Sequence, residues 1–267
     1  MQPTRAAAVS GTFYPDKCKK LEIYFQKFTD LIDKETKEKP IFKVTPRAII
    51  APHAGYIYSG FTANIAYTIL SNNPVKRVIV IGPSHHHYFE GVSGSYFESY
   101  ETPCGDIDID TTYLIDLAKR FKIGFEPEAH RREHSTEVQM PLIRHYLPKA
   151  EVIELIYGQT SPDKIAKIIT YLLKDRENAI VISTDLSHFH SQEKARTLDM
   201  ICLDAISSLD SKKLDQGCEA CGMIGVNAMI EAATAAGLKS QLIDYRTSAD
   251  YSGDSSSVVG YTSAVFY

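Results

Sequence analysis

Three histidines each stand one short step beyond a run of consecutive apolar residues. His53 follows Arg47-Ala-Ile-Ile-Ala51 through Pro52, His85 follows Arg77-Val-Ile-Val-Ile81 through Gly82-Pro83-Ser84, and His188 follows Ala179-Ile-Val-Ile-Ser183 through Thr184-Asp185-Leu186-Ser187. Imidazole is both the commonest metal ligand and the usual proton carrier near neutral pH. A fourth candidate is Cys221, in Cys218-Glu-Ala-Cys221-Gly222, just ahead of an apolar helical pattern that starts near Met223. A helix N-terminus lowers a thiol pKa, and a thiolate is a soft metal ligand. Imidazoles and a thiolate converging on one sheet edge could together hold one transition-metal ion. Asp185 and His188, three residues apart, could then form a proton-handling pair in which the carboxylate sets the imidazole tautomer. Each residue also has a plainer reading. A histidine after a strand is commonly a loop residue, Asp185 could cap a turn before the helix near Ser191, and a free cysteine is often core. Cys218 and Cys221 could also form a redox dithiol or half of a zinc site, although Cys18, Cys104 and Cys202 supply no matching second pair. His86 and His87 are expected at the surface or behind the ligands.

Elements that could bring these residues together follow from patterning. The three runs, with Glu151-Val-Ile-Glu-Leu-Ile156, are hydrophobic on consecutive positions, as strands buried on both faces must be. Between them lie amphipathic segments, of which Pro162–Lys174 is the cleanest: Ile165, Ile168, Ile169 and Leu172 share a face, Pro162 suits the first turn and Ser161 is positioned to cap it. Gln192–Leu209 and Met223–Ala236 read as helices, the latter stopped by Gly237, and Val258–Tyr267 as a closing strand. The expected class is α/β, with helices covering both faces of the sheet, and ligands in such sheets bind beyond the carboxyl ends of the strands. No linker or repeat divides the sequence, so residues 1–267 are expected to form a single domain.

Composition narrows the function. The 267 residues are 44% hydrophobic and 23% charged, a globular balance, with net charge −4 and no Lys/Arg block that would suit nucleic acid. The first residues lack the apolar core of a signal peptide, and no run approaches the roughly 20 apolar residues of a membrane span. A cytoplasmic protein that is not membrane-bound is expected. Five cysteines, odd in number and scattered, suggest reduced thiols instead of a disulfide framework.

Six motifs occur in order: Ala51-Pro-His-Ala-Gly-Tyr56 with Tyr58-Ser-Gly60, Gly82-Pro-Ser-His-His86, Glu133-His-Ser-Thr-Glu137, Ser183-Thr-Asp-Leu-Ser-His188, Cys221-Gly222 and Gly253-Asp-Ser-Ser-Ser-Val-Val-Gly-Tyr261. Together they resemble the successive signatures of the Memo-like family. The resemblance implies a single-domain, three-layer α/β/α fold with a largely parallel or mixed central sheet, similar to the class III extradiol dioxygenases. It implies metal ligation by His53, His85 and Cys221, with iron(II) or copper as the ion and zinc as an alternative, and an acid/base role for His188 beside Asp185. A thiolate where the dioxygenases carry a carboxylate argues against carrying over ring cleavage. His134, Glu137, Tyr56 and Asp254 are the motif residues expected to line a substrate pocket, with a helix-start cap as the rival reading of Glu133–Glu137. An animal relative is described as a copper- or iron-binding redox protein and signalling adaptor, and prokaryotic relatives occur alongside a radical-SAM protein, an implied partner. Three functions are therefore in play: a metal-dependent redox enzyme of dioxygenase-like type, a non-catalytic pocket for a peptide or partner side chain, and a zinc-dependent hydrolase.

Overall fold

The apolar runs become neighbouring strands. In the computed structural model, which describes residues 2–32 and 34–267, the strands are β1 (Gln2–Arg5), β2 (Ala48–Ala51), β3 (Arg77–Pro83), β4 (Val92–Gly94), β5 (Phe97–Tyr100), β6 (Ile107–Asp108), β7 (Glu151–Tyr157), β8 (Asn178–Ser183), β9 (His188–His190), β10 (Ser240–Thr247) and β11 (Val258–Phe266). The main sheet runs β10-β11-β2-β8-β3-β7-β4, with β9 added to β11. Its four central strands, β2, β8, β3 and β7, are parallel, whereas β10, β11, β4 and β9 pair antiparallel. The sheet is therefore mixed. Of the expected unit 1–267, Met1 and Asp33 lie outside the described residues.

Register explains why the candidate residues meet. Ala51 of β2 is level with Ser183 of β8, and Ile81 of β3 with Ile182 of β8, so the three chains leave the sheet side by side. Strands lie about 4.8 Å apart, so the exits of β2 and β3 are separated by only about 10 Å, with that of β8 between them.

Helices cover both faces. Cys18–Asp30, Tyr56–Leu70 and Met140–Tyr146 pack together on one side, and Pro162–Leu172, Gln192–Ser208 and Met223–Ala235 on the other. In Pro162–Leu172 the expected face is the buried one. Burial of each such isoleucine contributes about 1.5–3 kcal/mol. Ser161 makes no side-chain cap: Pro162, which has no N–H to satisfy, and Asp163 at the positive end of the helix serve instead. A separate small sheet, β1-β5-β6, carries Arg5 into the interior.

The expectation of reduced thiols is overturned for four cysteines. Cys18 is bonded to Cys104, 86 residues away, and Cys202 to Cys218. The first pair forms because the start of a helix meets the turn after β5, a contact that spacing along the chain does not reveal. The second removes Cys218 from any dithiol with Cys221, which is left as the free cysteine among the described residues. No described helix is long and apolar enough to cross a membrane.

Candidate metal and active site

His53 and His85 converge on Cys221. One nitrogen from each ring and the Cys221 Sγ lie within 4.8 Å of one another, and Sγ is 3.4 Å from His53 Nε2. Hydrogen-bond accounting fixes which nitrogens are spare. Gln139 Nε2 donates to the Pro52 carbonyl and to Ser183 Oγ, both at 2.9 Å, while Ser183 Oγ gives its own proton to the Ser135 carbonyl. Ser183 Oγ can therefore only accept from His53 Nδ1, 3.0 Å away. The neutral tautomer of His53 is thus the one with its proton on Nδ1 and its lone pair on Nε2. His85 also donates from Nδ1: that nitrogen lies 2.8 Å from Glu133 Oε1, and the His85 backbone N–H donates to Glu133 Oε2. An imidazole that donates its far N–H to a fixed acceptor is how metal-binding histidines are oriented.

The thiol is placed by the exit of β8. Sγ accepts from the Asp185 N–H at 3.3 Å, and the Cys221 N–H donates to the Asp185 carbonyl. Gly222 follows because nothing larger fits: a Cβ there would lie 2.6 Å from the Thr184 side chain and 2.9 Å from the Ser183 carbonyl. Burial opposes ionisation of Cys221, but His53 and His85 outweigh it and bring the thiol down to about 6. Burial likewise disfavours a charged His85, yet Cys221 and Glu133 raise it to about 10. Glu133 is held at about 2 against its burial by His85 and by two backbone N–H groups. His134, 4.5 Å from the His85 ring and 5.4 Å from that of His53, is pushed down to about 3 by burial and by both neighbours. It is neutral at pH 7. The cluster opens into a cavity of about 430 Å³ whose walls include His85, His86, His87, Tyr88, Tyr157 and Cys221, and among the described residues no Lys, Arg, Asp or Glu.

Other candidates are distributed differently. Asp185 is buried, and burial raises it to about 6, but its carboxylate accepts from the His53 backbone N–H at 2.8 Å and lies 3.9 Å from His53 Nε2. Among the described residues it makes no hydrogen bond to His188. The expected pair is corrected: the chain leaves β8 with Asp185 turned towards β2, while His188 sits on β9 beside Val259. His188 is felt electrostatically by Asp185 and by the buried Asp199, which accepts from the Ser187 N–H. Next to His188, Phe189 adopts φ 63° and is 80% exposed, forming the bulge that aligns β9 with β11.

Three residues expected in the pocket are elsewhere. Glu137 is fully buried and accepts from Arg5, the Ala8 and Val9 N–H groups and the Tyr14 hydroxyl, because the buried Arg5 guanidinium requires an anion. Tyr56 is buried, with its hydroxyl donating to the Val138 carbonyl. Asp254 is an exposed turn residue accepting from Ser256. Glu133 does cap its helix, accepting from the Ser135 N–H, and holds His85 with the same carboxylate. The functions of Ser183 and Gln139 were not read from the sequence. The signal for Ser183 was a hydroxyl ending an otherwise apolar strand.

The family model described as "Memo-like protein" matches residues 5–265. The chain belongs to the Memo-like family. A MEMO1 family protein of Aquifex aeolicus is 33% identical over 98% of both chains, and one of Methanobrevibacter smithii is 31% identical over 98% of this chain and 99% of its own. The crystal structure of the uncharacterized protein JW3007 from Escherichia coli K12 matches with a TM-score of 0.54 at 10% identity, covering 83% of this chain and all of that one. At that identity the likeness concerns the fold alone. Its breadth agrees with a mixed sheet between two helical layers.

Proposed function

We propose that this Memo-like chain binds one transition-metal ion, iron(II) or copper, through His53 Nε2, His85 Nε2 and Cys221 Sγ, and acts as a metal-dependent redox enzyme on a small neutral ligand. What supports the reading is the placement: both Nδ1 atoms face fixed acceptors, which turns both Nε2 atoms to a thiol that ionises readily, and an ion bound there would displace the proton that His85 carries near neutral pH. Such a donor set fits a borderline-to-soft divalent or cuprous ion. The bound ion would supply electron transfer. The rest falls to the chain. His86, His87 and Tyr88 in the pocket wall offer hydrogen bonds to a ligand, and with His85 and Cys221 taken up by the ion no Lys, Arg, Asp or Glu of that wall would pair with a charged one, which favours a neutral ligand over an anion. His134, neutral and lying over both ligand rings, can donate to or accept from that ligand. Asp185, with its carboxyl near 6, can hold a proton beside His53, and His188 can deliver one from the β9 side.

Elemental analysis of anaerobically purified protein, followed by titration of iron(II), copper(I) and zinc into wild type, His53→Ala, His85→Ala and Cys221→Ser, tests the ligand set. Equal affinity in all four proteins would sink it. Zinc as the sole tight metal would favour the hydrolase, and no tight metal the partner-binding pocket. His188→Ala is expected to keep the metal and lose metal-dependent oxygen consumption. If the metal is lost as well, His188 is a ligand.

A further inference from the structure

A second cleft, of about 360 Å³, shares no lining residue with the cavity beside Cys221. It lies between the helix Cys18–Asp30, the first turns of Tyr56–Leu70, Arg246 of β10 and the short helix Ala249–Ser252. Its walls are aromatic in two facing pairs: Tyr24 meets Phe28 edge-on at 5.8 Å, and Tyr58 meets Tyr251 edge-on at 5.6 Å. Tyr58 is 43% exposed and Tyr251 59%, a concentration of open aromatic surface that scattered single residues do not account for.

The charge in this cleft is specific. The Arg246 guanidinium lies 4.2 Å from the Phe61 ring centroid, and its Nε donates to Asp244, at 3.1 Å from Oδ2. Ring and carboxylate together hold the group in one plane. Among the described residues its two terminal amino groups make no hydrogen bond, so a fork of donors is presented to the cleft. Asp244 also accepts from Thr62, and Asp250, which lines the cleft, binds the Thr247 N–H and hydroxyl through Oδ2; among the described residues neither carboxylate accepts from the terminal amino groups. Lys27, on the opposite helix, forms no ion pair among the described residues. A planar donor pair flanked by a second cation matches a carboxylate, and the aromatic walls match a ring.

We propose that this cleft is a binding site for a small aromatic carboxylate, its ring between the Tyr24/Phe28 and Tyr58/Tyr251 pairs and its carboxylate on Arg246, with Lys27 adding charge. The volume lies at the lower end of ligand cavities and suits a one- or two-ring compound. The site does not depend on the metal-centre reading.

Calorimetric titration with 2-naphthoate and its neutral counterpart 2-naphthamide separates the contributions. Wild type is expected to bind naphthoate saturably, one per chain, and more tightly than naphthamide. Arg246→Gln should weaken naphthoate about 10- to 100-fold, the worth of a charge-assisted pair, and leave naphthamide unchanged. Arg246→Lys should fall between, because it keeps the charge and loses the fork. Tyr251→Ala should weaken both probes, and His85→Ala neither. Thermal unfolding of each variant checks that it is folded. The proposal is overturned if neither probe saturates, if the two bind equally, or if Arg246→Gln and Arg246→Lys are both silent. It is also overturned if sedimentation shows a dimer that Tyr251→Ala dissociates, for then a second copy of the chain covers the cleft.

Discussion

Two clusters of imidazole and carboxylate are joined by the single turn His134–Glu137, and they treat their histidines differently. In the inner cluster His130 uses both ring nitrogens, Nδ1 at 2.7 Å from Glu154 and Nε2 at 2.9 Å from Ser93 Oγ. Glu154 also accepts from Tyr100 and Thr136, and Arg5 is bound by Glu137 and by the carbonyls of His130 and Glu133. Every strong donor there has its acceptor. In the outer cluster His53 and His85 use Nδ1 and leave Nε2 towards Cys221. A histidine with both nitrogens committed to fixed partners is structural; one whose Nε2 faces a readily ionised thiol can work on something else. Residue type does not separate the two cases, and hydrogen-bond saturation does.

The largest effect that would test this contrast lies in the inner cluster. Arg5→Met strands Glu137 as a buried, unpaired carboxylate and should cost about 3–5 kcal/mol, read from the urea midpoint at constant slope. A loss below about 1 kcal/mol would mean that the network is not structural. Because Arg5 also binds the Glu133 carbonyl, some loosening of the outer cluster is expected to accompany it.

A smaller effect should separate the two carboxylate–histidine pairs by readout. Glu133→Gln removes the charge that orients His85 and should weaken metal binding about 10- to 100-fold. His130→Gln should leave metal affinity unchanged and reduce stability by about 1–3 kcal/mol, since it disturbs buried partners. Metal titration and denaturation of the same two variants decide the matter, and the reverse pattern would dissolve the distinction.

The smallest effect is on pH dependence. The thiolate is the attacking species, and with the Cys221 thiol near 6 in the metal-free protein, alkylation should be fast and flat above that pH and fall off below it. His53→Ala removes the leading favourable interaction and should move the midpoint upward, towards the ordinary thiol range. A wild-type midpoint near 9 would show that the imidazoles do not reach the thiol.

Local patterns in the chain determined a good deal by themselves. Four Ile/Val runs marked the central strands, spaced isoleucines marked Pro162–Leu172, and a histidine two residues beyond β2 and β3, with Cys221 ahead of a helix, marked the residues that converge on the candidate site. These features depend on alternation and capping over a few residues, which sequence records directly. Only the tertiary structure decided the partners. Glu137 turns to Arg5, 132 residues away, and not to the pocket; Asp185 turns to His53 and not to His188; Cys18 finds Cys104. The reason is physical. A buried polar group must be satisfied by whatever donor or acceptor the packed sheet and helices bring beside it, and that neighbour is set by the register of strands far apart in the chain.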